Sequence, residues 1–161
     1  MSWNVRIGIN PLSWMNDDLP SLGGETPLET ALKEGKEIGY EGFELGNKFP
    51  KDGPSLKAKL DEFGLACVSG WYSGFLAELE PGQSQEAAVA AEIERCKAHM
   101  SKLQYNGVKV VVYGECAGTV QGQMDTPVSR RPQFANEALW HAYAERLNAD
   151  LGLKTPHGVI S

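Results

Sequence analysis

Apolar positions along this chain switch between a period of two and a period of about 3.6 residues, and glycines mark the switches. Short runs rich in β-branched and aromatic residues occupy Val5–Asn10, Glu41–Leu45, Leu65–Ser69 and Val108–Tyr113. Helical patterns follow them. The first is opened by Thr26-Pro27-Leu28-Glu29, which reads as an N-cap Thr, Pro at the first helical position and Glu reaching back to the cap. Leu28, Leu32 and Ile38 give its apolar face, and Gly39 supplies the left-handed residue that ends it. A second helix starts at Pro54, turns Leu56, Leu60 and Phe63 inward, and stops at Gly64. In the third, Val89, Ile93, Cys96, Met100 and Leu103 step by four and three, one buried stripe, before Asn106-Gly107 turns the chain. The fourth, roughly Ala135 to Ala149, places Leu139, Tyr143 and Leu147 on one face. Beyond Asn148 the periodicity lapses, which predicts an irregular tail over 149–161.

Repeated strand–helix units require a parallel sheet, and a parallel sheet is covered on both faces or closed into a barrel. A (β/α)8 barrel takes about 250 residues, and this chain of 161 residues yields four units. The expected fold is therefore α/β: the first four βα units of a TIM barrel, an incomplete parallel barrel formed as one domain over 1–161. An open half-barrel leaves the edges of strands one and four unpaired, which predicts homo-oligomers through those edges.

Composition narrows the function. A formal charge of −6 disfavours a nucleic-acid surface, which needs a basic stripe to neutralise phosphates, and leaves a small polar substrate as the expected partner. No apolar run is long enough to span a membrane. The N-terminus enters a strand without an apolar signal region, which predicts a cytoplasmic protein. Cys67, Cys96 and Cys116 are too widely spaced for a metal clip and odd in number; Cys67 on its strand and Cys96 on its helical stripe read as buried thiols, which fits a reducing compartment.

Two connections are long, Pro11 to Thr26 and Gly114 to Phe134, and both follow strand C-terminal ends, the end at which barrels carry their chemistry. Around those ends lie Asn10, Trp14, Glu44, Asn47, Lys48, Trp71, Tyr72, Tyr113 and Glu115. Glu44 reads either as a base or hydroxyl ligand, or as a structural partner of a neighbouring cation. Lys48 reads as a fixed charge for a developing enolate, or as a solvated lysine. Trp71-Tyr72 would form a flat wall for a sugar or cyclitol ring, or pack in the core. His99 and His141 lie on helices and read as packing or surface residues, and His157 falls in the tail. No complete metal-binding motif and no nucleophile elbow occurs.

Three blocks carry a resemblance: Gly8-Ile9-Asn10-Pro11-Leu12-Ser13-Trp14, Gly23-Gly24-Glu25-Thr26-Pro27-Leu28, and Tyr40-Glu41-Gly42-Phe43-Glu44-Leu45-Gly46-Asn47-Lys48-Phe49-Pro50. From about Val5 to Leu147 the sequence resembles the N-terminal half of the inosose dehydratase (myo-inosose-2 dehydratase) family, xylose-isomerase-like barrels. The resemblance implies a hydro-lyase that removes water from 2-keto-myo-inositol (scyllo-inosose) in myo-inositol catabolism, aided by Mn2+ or Co2+. It implies catalytic roles for Glu44 and Lys48 and substrate contacts for Asn10, Trp14, Asn47, Trp71 and Tyr113. The family's metal ligands come from the barrel's second half, so none transfers to this chain, which is expected to be inactive alone. A sugar isomerase or epimerase on the same barrel, and a non-catalytic fragment associating through strand edges, are the alternatives.

Overall fold

The computed structural model describes residues 5–117, 125–130 and 136–152. Among them four strands alternate with four α-helices: β1 (Gly8–Ile9), α1 (Leu28–Ile38), β2 (Gly42–Leu45), α2 (Gly53–Glu62), β3 (Ala66–Gly74), α3 (Gln85–Tyr105), β4 (Val111–Glu115) and α4 (Glu137–Leu151). The strands form one parallel sheet in the order β1-β2-β3-β4, the α/β pattern read from the sequence. Contacts gather into two units, Met1–Tyr72 with His99–Val112, and Ser73–Ala98 with Tyr113–Ser161.

The first unit holds the main apolar core. One face of the sheet contributes Phe43, Leu45 and Cys67; α1 adds Leu28, Ala31 and Leu32, α2 adds Leu56 and Leu60, and α3 adds Leu103. Gly39 ends α1 in the left-handed conformation, at φ 109°, where its N–H bonds the Lys36 carbonyl. The start of α1 differs from expectation. Thr26 is not its cap; Pro27 holds that position in extended backbone with no side-chain cap, its carbonyl accepting the Thr30 N–H, while the Thr26 carbonyl accepts from Lys48. In α2 the cap is Asp52, whose carboxylate accepts from the Ser55 N–H.

The opposite face of the sheet is lined by Gly8, Gly42 and Val68. A Cβ at Gly42 would stand 2.6 Å from a Val68 methyl, and one at Gly8 would stand 2.9 Å from the other. Glycine at both positions gives the isopropyl group its room. Pairing between β2 and β3 is irregular here: Phe43 opposes Cys67, but Glu44 opposes Ser69, so Val68 is an extra residue on β3. That is a β-bulge.

Strand limits differ from the sequence reading for local reasons. β4 starts at Val111 rather than Val108, because the Val108 N–H is bonded to the Leu103 carbonyl at the end of α3. β3 continues through the Gly-rich Ser69–Gly74 stretch, so Trp71 and Tyr72 lie within the strand rather than at its end. In the second unit, the Cys116 N–H bonds the Gly74 carbonyl.

The inward stripe of α3 also differs. Ala88, Glu92, Cys96 and Leu103 are buried, whereas Met100 is exposed. In α4 the buried positions among the described side chains are Arg146 and Asp150, and Leu139 is exposed. The helix persists to Leu151, three residues into the expected irregular tail. Residues 153–161, with His157, lie outside the described residues, as do Phe134 and Ala135. Of these inward charged residues, Arg146 is satisfied by backbone: its guanidinium donates to the Leu76 carbonyl at 2.6 Å and the Ala77 carbonyl at 3.2 Å.

Cys67 and Cys96 are buried, as expected; burial pushes the Cys67 thiol up to about 11. His99 is half-buried against Tyr72, ring centroids 5.4 Å apart, and burial lowers its pKa. Asp150 is 1% exposed. Burial first, then the charge of Glu92, raises its carboxyl to about 6, with Arg95 opposing.

A carboxyl whose proton is held more tightly folded than unfolded contributes stability that is complete below its ordinary value of 3.8 and is lost as pH rises through about 6. Replacing Asp150 by Asn removes this dependence. Between about pH 4 and pH 7, Asp150→Asn should gain about 2–3 kcal/mol relative to wild type, measured by urea unfolding at each pH. A difference independent of pH would contradict the assignment.

Candidate functional site

The C-terminal ends of β1 and β2 bring two expected residues together. Asn10 follows β1 and caps a 3-10 turn at Pro11–Ser13, its side-chain oxygen accepting from the Leu12 N–H at 2.9 Å. That bond fixes the amide's orientation. Its Nδ2 then donates to Glu44 Oε1 at 2.5 Å. The second Glu44 oxygen accepts from the Ser69 hydroxyl at 2.6 Å. Each carboxylate oxygen has about two acceptor positions, so each keeps one for a further donor. Glu44 is half-buried and Asn10 exposed, so the group is reachable from solvent. Ser69 was not singled out in the sequence. Its only legible signal there is its place in a Gly-bearing strand of small and aromatic residues.

Lys48 reaches the β1–α1 connection rather than an open cavity. Its ammonium donates to the Gly24 carbonyl at 2.6 Å and the Thr26 carbonyl at 2.5 Å. An ammonium has three N–H groups, and two are used here. Asp17, on the same connection, accepts from the Asn47 N–H at 2.9 Å. The long first loop is thereby fastened to the β2–α2 loop at two points. The Asn47 carbonyl in turn accepts from Lys51, and its side chain is exposed.

Trp14 is partly buried against the core, 5.7 Å from the Phe43 ring between centroids, and its indole N–H donates to Glu34 at 2.6 Å. Trp71 is different: it is 49% exposed. A Cβ at Gly70 would meet Leu103 and His99 of α3, so its neighbours Ser69 and Trp71 face away from that helix by strand alternation. Tyr72, on the helix side, is buried. The flat wall read from Trp71-Tyr72 thus divides, one ring on each face.

Tyr113 belongs to the second unit. Its hydroxyl lies 3.4 Å from Glu115 Oε2, and Glu115 also accepts from the Leu76 N–H at 3.0 Å and the Ala117 N–H at 2.9 Å. Burial and then the Glu115 charge push the Tyr113 phenol up. The same causes bring Tyr143 to about 12, so both phenols stay protonated at neutral pH. Glu115 therefore acts as a loop organiser within that unit.

Among the described residues, no three of His, Cys, Asp and Glu are grouped so as to hold a metal ion. No helix among them is long and apolar enough to cross a membrane.

The two anchor points of the first loop give a test. Lys48→Ala should speed limited proteolysis within residues 11–27 several-fold, while costing only about 1 kcal/mol of global stability, as expected for exposed charged hydrogen bonds. An unchanged cleavage rate would contradict an anchoring role.

No family model matches the chain. Individual proteins do. Rhizopine catabolism protein MocC of Rhizobium meliloti is 40% identical over 144 residues, 89% of this chain and 42% of its own length. Inosose dehydratase of Geobacillus thermodenitrificans is 39% identical over 145 residues, 89% of this chain and 46% of its own. Inosose dehydratase of Clostridium beijerinckii is 38% identical over 144 residues, with 89% and 46% covered. The chain spans about half the length of these curated relatives. Over about nine-tenths of its residues, this chain is a homologue of the inosose dehydratases and of MocC.

Proposed function

We propose that this chain carries a substrate-facing surface of a hydro-lyase that removes water from 2-keto-myo-inositol, in the manner named for its inosose dehydratase relatives. The observation that carries this reading is the Glu44 carboxylate, fixed by Asn10 and Ser69 yet accessible, at the end of parallel strands. A carboxylate so held accepts a ring hydroxyl or takes a proton from carbon beside a ketone, since a positioned base acts on a proton within hydrogen-bond reach. Trp71 offers an exposed aromatic face to the apolar side of a ring. Lys48 contributes mainly by holding the first loop, with its third N–H left for developing negative charge. The Mn2+ or Co2+ implied by the resemblance finds no fitting donor set among the described residues. Their share of the work is binding, orientation and the proton and charge handling given to Glu44 and Lys48. Asn47 remains a proposed substrate contact.

NMR titration of the Trp71 indole N–H with 2-keto-myo-inositol tests this reading. Wild-type chain should give a saturable shift, and Glu44→Gln, which removes one acceptor charge, should weaken binding about tenfold or more. Absence of a saturable shift in the wild type would overturn the proposal.

A second reading concerns assembly. Val5 and Ile7 before β1 are 64% and 59% exposed, and Val110 beside β4 is 56% exposed. Apolar side chains next to strand edges favour pairing with another strand, and a second copy of this chain is the proposed occupant. Sedimentation velocity should show a concentration-dependent dimer. A monomer at all concentrations would contradict it.

A further inference from the structure

We infer that Ser69 is a positioning residue for Glu44, set in place by the bulge in β3; this deepens the reading of Glu44 as a substrate-facing carboxylate and rests on it. In a regular ladder successive strand residues face opposite sides of the sheet. Cys67 faces the core and is buried with it, so without the bulge Val68 would face the Glu44 side and Ser69 would return to the core. The extra residue changes this. Val68 still faces Gly8 and Gly42, and Ser69 is brought opposite Glu44 with its hydroxyl 2.6 Å from Oε2. Strand alternation then resumes, with Gly70 toward α3 and Tyr72 buried.

The consequence is a carboxylate held at both oxygens, by Asn10 just past the end of β1 and by Ser69 on β3. Asn10 alone would leave the group free to rotate about its Cγ–Cδ bond, and the hydroxyl of Ser69 stops that rotation. Asn10 is itself oriented by the Leu12 N–H, so its amide donates in a fixed direction. Bulges re-aim side chains in this way beside functional sites. A carboxylate whose two remaining acceptor positions point in fixed directions distinguishes neighbouring hydroxyls on a ring; a rotating one does not.

The test uses Ser69→Ala and Ser69→Thr in the whole chain. Side-chain relaxation by NMR reports the order of the Glu44 methylenes without any ligand, and titration with 2-keto-myo-inositol reports affinity. Order of Glu44 should fall in Ser69→Ala and return in Ser69→Thr, with affinity down about tenfold in the first and recovered in the second. Global unfolding midpoints of the two variants control for a general loss of structure, which would lower both readouts together with the midpoint. If Ser69→Ala does not fold, Ser69→Cys, a weaker donor of similar size, takes its place. Glu44 as ordered in Ser69→Ala as in wild type would overturn the inference. If Glu44 loses order as expected but wild-type chain binds no 2-keto-myo-inositol, the positioning stands and the proposed function fails.

Discussion

The register between β2 and β3 is the constraint on which the candidate site depends. Strand pairing is stiff, and a single-residue slip reverses every side chain on a strand. By taking one extra residue at Val68, β3 keeps Cys67 and Gly70 against the helices while presenting Ser69 to Glu44. The carboxylate then joins three strands through side chains, Asn10 after β1, Glu44 on β2 and Ser69 on β3. Gly8 and Gly42 are part of the same arrangement, because any larger residue there would displace Val68 and with it the bulge.

The loops complete what the strands begin. Lys48 and Asp17 tie the β1–α1 connection to the β2–α2 connection through backbone groups. Neither interaction is strong on its own, since exposed charged hydrogen bonds contribute little to stability. Together they limit where a long segment can go beside Glu44. Trp14 adds an apolar anchor at the same end, wedged on Phe43 and bonded to Glu34 on α1. In the second unit the corresponding work is done by charged groups: Arg146 on two carbonyls, and Glu115 on two N–H groups.

Most of the fold was legible in the sequence because it follows from period and punctuation. Gly39, Gly64 and Gly107 all adopt positive φ, and Leu28 and Leu32 of α1 and Leu56 and Leu60 of α2 point inward as their spacing requires, whereas Ile38, in the last turn of α1, is 66% exposed. The stripe of α3 and the face of α4 were misread for one reason. Glu92, Arg146 and Asp150 are charged residues at core positions, and hydrophobic periodicity assigns such residues to solvent. Strand β3 was cut short because Gly70 and Gly74 look like punctuation, although they lie inside a strand that packs closely on other groups. For the site, Asn10 and Glu44 were identifiable as polar residues at strand ends. Ser69 was not, since a bulge is a property of pairing between two segments and neither segment encodes it alone.

The homology to inosose dehydratases and MocC and the placement of Glu44 bear on different levels of the account, ancestry and local chemistry. The chemistry stands or falls with the carboxylate. A crystal structure of this chain at atomic resolution is the most direct test. It should show Val68 as the extra residue on β3, with Asn10 Nδ2 and Ser69 Oγ within hydrogen-bond distance of opposite oxygens of Glu44. A regular β2–β3 ladder, with Ser69 turned to the helices and the carboxylate of Glu44 free in solvent, would contradict it.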